Sequence, residues 1–67
     1  MIVQMQLREI VRLALVRRSP EYARQAELAI MLHVDRRDVL DAVEAFAGDL
    51  FPNCRDDFVA LLSGSVE

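Results

Sequence analysis

The sequence predicts a small all-α domain of four helices. Apolar residues recur every three or four positions along most of the chain. Helix-starting and helix-stopping residues punctuate it, with Ser19-Pro20, Asp35 and Asn53 as starts and Gly48 as a stop. No two neighbouring segments alternate apolar and polar residues as a hairpin would, so no wing is expected. The 67 residues suffice for one domain over 1–67, with helices within 1–62 and a flexible tail at 63–67.

The first helix is expected from about Ile2 to Arg18. Its main stripe is Val3, Leu7, Ile10, Val11 and Ala14. A second stripe, Ile2, Met5, Leu13 and Val16, lies on another side and includes Glu9. A helix apolar on two sides touches two things. The first stripe should meet the core, and the second is the candidate dimer interface. Ser19 can cap the next helix, Pro20 suits its first position, and Glu21 complements its dipole. That helix should reach Leu32, with Tyr22, Ala26, Leu28, Ala29, Ile30 and Leu32 as its apolar positions. Asp35 reads as the cap of helix three, with Asp38 at the capping-box position. Helix three should run to Ala47 and stop at Gly48, in the left-handed conformation that glycine often adopts there. Val39, Ala42, Val43 and Phe46 form its inward face, opposite Arg37, Asp38, Asp41, Glu44 and Ala45. Asn53 can cap a short fourth helix, Cys54 to Leu62, whose apolar side is Phe58, Leu61 and Leu62.

The segment Gln25–Glu44 resembles the helix-turn-helix family of DNA-binding proteins. Leu28-Ala29 stands where the family has Leu-Ala, Leu32 and Val34 flank the turn, and Asp35 is the small polar cap. Val39 and Ala42 then match the apolar pair that faces back. The resemblance covers under a third of the chain. It implies that Leu28, Leu32 and Val34 pack inward, and that His33, where the family often has glycine, adopts positive φ. It also implies that Arg36 and Arg37 sit where family members touch bases and phosphates. The second helix departs from the pattern, because Asp38, Asp41 and Glu44 would face a polyanion.

The charge is unevenly placed around a net −3. Residues 1–24 hold five arginines and two glutamates, net +3, and residues 25–67 hold three arginines and nine acids, net −6. An acidic back half is unlike the basic footprint of most nucleic-acid binders. The chain is 54% hydrophobic, yet a domain this small buries only about 60% of the surface its unfolded chain exposes. Burial between subunits resolves this, so a homodimer is expected. Polar residues interrupt the N-terminal segment, so no signal peptide is expected, nor any membrane span, and the default location is cytoplasmic. The cations are arginines with no lysine, as a GC-rich genome would encode; a bacterial or phage source is expected separately, because small phage and plasmid genes often encode modules of this size.

No phosphate loop, nucleophile–base pair or metal-ligand spacing occurs, so an enzyme, a cofactor, a metal and a small-molecule substrate are not expected. Cys54 is the sole cysteine and reads as a structural thiol. The phenylalanines read as core, and His33 as a solvated turn residue. The first functional reading is a dimeric interaction module that binds and modulates another protein, as adaptor, anti-activator or inhibitor, possibly of a DNA-binding protein. Its partner surface would be Arg37, Asp38, Asp41 and Glu44, although Arg37 and Asp41, four apart, can also pair with each other. The alternative is a dimeric transcriptional repressor that reads DNA with Arg36 and Arg37 and holds phosphates with Arg17, Arg18 and Arg24.

Overall fold

The structure is a computed structural model that describes the backbone of residues 3–64 and the side chains of residues 6–64. Ile2, the side chains of Val3 and Met5, and the end of the tail lie outside the described residues. The fold is all-α: α1 (Val3–Arg17), α2 (Pro20–Met31), a 3₁₀ turn (Arg36–Asp38), α3 (Val39–Ala47) and α4 (Cys54–Leu62). No strand occurs among the described residues.

α1 is the central element and packs against all three other α-helices. Its buried residues are Leu7, Val11, Ala14 and Leu15, with Ile10 packed at their edge. Three of these belong to the stripe read from the sequence, and Leu15 widens it because α1 has neighbours on several sides. α2 buries Ala23, Ala26 and Ile30. Two of these three are alanines, as is the buried Ala14 of α1, and small side chains allow packed helix backbones to approach closely. Val39, Val43 and Ala47 of α3 and Cys54, Phe58 and Leu61 of α4 complete the core. No polar or charged side chain is buried there.

The α1–α2 corner is built around Ser19. Its backbone N–H donates to the Ala14 carbonyl at 3.0 Å, a bond spanning five residues, and Arg18 between the helices has φ 49°. Together these make the corner a Schellman-type helix end. Ser19 also caps α2: its hydroxyl accepts from the Tyr22 N–H at 3.3 Å, and its carbonyl accepts from the Ala23 N–H at 3.0 Å. Arg18 occupies the position where glycine is usual. A left-handed conformation costs an L-residue roughly 1–2 kcal/mol, while glycine's extra freedom in the unfolded chain offsets about 0.5–1 kcal/mol. Arg18→Gly is therefore expected to stabilise the fold by roughly 0.5–1 kcal/mol. A thermal or urea midpoint that stays put or falls would show that the Arg18 side chain contributes more than its backbone strain costs.

Four local expectations need correction. The turn between α2 and α3 does not use a left-handed residue: among the described non-glycine residues, only Arg18 has positive φ. His33 and Val34 both donate their N–H to the Ile30 carbonyl, at 2.9 and 3.0 Å, so the turn tightens the end of α2 without special geometry at His33. The positions expected to pack the helix pair face solvent: Leu28 is 64% exposed, Leu32 82% and Val34 38%. The buried face of α2 is the alanine side, which turns Leu28 outward. Neither Asp35, Asp38 nor Asn53 makes a side-chain cap bond. The chain after Asp35 begins as a 3₁₀ turn, with Asp38 N–H on the Asp35 carbonyl at 2.9 Å, so the capping box does not form. Finally, Gly48 has φ −63°, in the ordinary helical region. Its role is close approach: a Cβ there would stand 2.5 Å from the Glu44 carbonyl oxygen.

Candidate functional site

α3 divides its residues as its apolar period demands. Val39 and Val43 are buried, Ala42 and Phe46 are partly so, and Asp38, Asp41, Glu44 and Ala45 are exposed with Arg37. The four residues expected to meet a partner are thus all exposed, Asp41 and Glu44 on α3 and Arg37 and Asp38 on the 3₁₀ turn before it. Their pairing differs from expectation. Asp41 does not bond Arg37 but Arg55, from the first turn of α4. Arg55 Nη1 donates to Asp41 Oδ1 at 2.7 Å and to Glu44 Oε1 at 3.2 Å. The two carboxylates raise the Arg55 guanidinium's pKa above its ordinary value, Asp41 more than Glu44.

Arg55 was not recognisable as part of this face from sequence. It lies 14 residues from Asp41, and only the return of α4 along α3 brings them together. It changes the electrostatics of the site. Three acids on the face now stand with two arginines, Arg37 and Arg55, so the face is only weakly acidic. Asp38 has no ion pair among the described residues, and Asp41 and Glu44 are held in a fixed relation by one guanidinium. Such a fixed pair of carboxylates can accept hydrogen bonds from a second basic group, since each retains an oxygen that Arg55 does not use.

Cys54, next to Arg55 in sequence, is buried at the start of α4. Burial, reinforced by the nearby charge of Glu44, pushes its thiol pKa up. A raised pKa and a closed environment disfavour thiolate chemistry, in keeping with a structural thiol.

The arginines of the DNA reading are arranged in two groups. Arg36 and Arg37 occupy the exposed 3₁₀ turn after α2, and Arg36 Nη2 lies 3.7 Å from Glu27 Oε2. Arg17 and Arg18 lie at the other end of α2, where the Arg17 guanidinium sits 5.9 Å over the Tyr22 ring. Twelve residues of α2 separate the groups, about 18 Å of helix. Arg24 lies between them on the outer side of α2. The expected dimer stripe of α1 is only partly described: Leu13 is half-buried, Val16 is exposed, and Glu9 beside them is ion-paired with Arg12.

Among the described residues no cluster of His, Cys, Asp and Glu could hold a metal ion, and no helix is long and apolar enough to cross a membrane. No family model matches the chain, and neither a curated protein nor a solved structure shows a significant match to it. Fold and site together define the class: a small all-α domain that presents a charged helix face above an apolar core.

Proposed function

We propose that the protein is a small, non-enzymatic, dimeric interaction module that binds a basic surface of another protein through the outward face of α3. The observation that supports this best is the exposed trio Asp38, Asp41 and Glu44, two of them fixed by Arg55. Carboxylates already drawn together by a guanidinium of the same chain lose less freedom on docking than unpaired ones, which favours association. A basic nucleic-acid-handling protein suits such a surface, and the module would act on it as adaptor, anti-activator or inhibitor.

Asp41→Arg tests the reading. It reverses charge at the centre of the face and sets two arginines against each other, Arg55 and the new one. It is expected to weaken partner capture several-fold or more, because like charges across an interface are repulsive. The fold should hold, since Asp41 is exposed and opposite the buried side of α3. Capture from host lysate that is equal for the wild type and Asp41→Arg would count against the proposal.

A second reading, a dimeric DNA-binding repressor, draws on Arg36 and Arg37 standing exposed on one turn. It requires a salt-sensitive DNA complex that is lost when both are changed to Ala and tightened when Asp38, Asp41 and Glu44 become amides.

A further inference from the structure

The outward side of α2 carries an apolar patch that the proposed function does not use. With 3.6 residues per turn, Leu28 marks the middle of this side. Leu32 lies to one edge, and Arg24 and Met31 lie together on the other. Leu28, Met31, Leu32 and Val34 are all exposed, four apolar groups around one helix end. The charges flank them at opposite ends. Arg24 is exposed one turn before Leu28, its guanidinium beside Gly64 at the end of α4, with no ion pair among the described residues. Beyond Leu32, a shallow depression is lined by Met31, His33, Val34, Asp35 and Asp38. Its two carboxylates have no ion pair among the described residues either.

We propose that a second copy of this chain occupies this surface, with the two α2 helices antiparallel. A two-fold interface must be complementary to itself, so whatever lies at one end of the stripe must fit the other end. Antiparallel pairing about the midpoint of Leu28 and Leu32 sets Leu28 of each copy against Leu32 of the other. It also sets like edges together. Arg24, on the Met31 edge and six residues from the midpoint, about 9 Å along the axis, then meets the Met31 edge of the second copy. There it faces the depression that holds Asp35 and Asp38. Each copy contributes one cation and receives one, and the apolar middle is covered. Arg36 is paired with Glu27, one turn before Met31, and a second depression is lined by Asp35, Arg36 and Arg37, so Asp35 borders both depressions while Asp38 borders only the first and is open to an arginine from outside. This inference rests on the dimeric part of the proposed function and moves its interface from α1 to α2. Of the proposed partner face, Asp38 is taken into the dimer, while Asp41 and Glu44 stay outside it, available to another partner.

Sedimentation of the full chain tests it, with circular dichroism as the control for folding. Leu28→Asp and Leu32→Asp replace exposed residues, so both should keep their helix content while the dimer dissociation constant rises at least tenfold. Arg24→Asp and Asp35→Arg should each weaken the dimer several-fold, and the two combined should recover most of the loss, because the reversed pair again matches. A wild-type chain that stays monomeric into the sub-millimolar range would overturn both the dimer and this interface. A wild-type dimer unmoved by Leu28→Asp and Leu32→Asp would overturn the α2 interface alone. In that case Leu13→Asp and Val16→Asp would be expected to dissociate it. Weakening by both single charge variants without recovery in the double variant would also reject the antiparallel pairing.

Discussion

Phe58→Ala is expected to leave a large share of the molecules unfolded at room temperature. Phe58 is the bulkiest of the fully buried side chains, and no part of it reaches solvent. It lies in the cluster to which all four α-helices contribute. Truncating a buried phenylalanine to alanine typically costs about 3–5 kcal/mol, through lost transfer energy and the cavity left behind. A single core in a chain this short rarely supplies more net stability than that, about 3–5 kcal/mol at most. The loss therefore matches what holds the fold. Urea titration followed by circular dichroism should show a midpoint near zero denaturant or no folded baseline. Val59→Ala is the natural comparison: the neighbouring residue is exposed, and its truncation should shift the midpoint little. Similar midpoints for the two variants would mean that α4 does not pack by its Phe58 face.

Gly48→Val should have the next largest effect on stability. Its ground is the short distance between Gly48 and the turn before it. The Gly48 N–H donates to the Glu44 carbonyl at 2.7 Å, and a Cβ would fall 2.5 Å from that same oxygen and 3.1 Å from Glu44 Cγ. The oxygen is backbone and cannot swing aside, so the end of α3 must move. Forced displacement of this kind costs typically 1–3 kcal/mol. Glu44 would move with it, and its bond to Arg55 is expected to lengthen. Gly48→Ala should fall between the wild type and Gly48→Val in thermal midpoint. Equal midpoints for all three would show that the chain leaves α3 with more room than this geometry allows.

Local rules made much of the fold legible. α4 spans Cys54–Leu62 as its apolar spacing suggests, and α3 buries the face its period predicts. What was not legible depends on distant neighbours. Leu15 is buried because α1 meets helices on several sides, and periodicity in one segment cannot say how many neighbours it will have. Leu28 and Leu32 are exposed because α2 packs through its alanines. Side-chain size alone suggests the opposite orientation, yet Ala23 and Ala26 are the residues that α2 buries with Ile30. Arg18 carried no sequence signal for positive φ, since glycine or asparagine would be the usual mark. The acidic positions of the candidate site were readable, whereas Arg55 enters only through the α3–α4 packing. The resemblance to a helix-turn-helix segment captured the order of helix, turn and helix, but the inward packing it implied for Leu28, Leu32 and Val34 is not what the chain does.

The double duty of Ser19 has a consequence for how the molecule opens. One residue closes the end of α1 through its N–H and begins α2 through its hydroxyl and carbonyl. The last turn of α1 cannot fray without releasing the Ser19 amide, and a displaced Ser19 leaves the first amides of α2 without acceptors. The adjoining ends of the two helices should therefore exchange their amide hydrogens as one cooperative unit rather than as two independent fraying ends. The amides of Ser19, Tyr22 and Ala23 would share a common opening free energy, and Ser19→Ala would lower the protection of Tyr22 most directly.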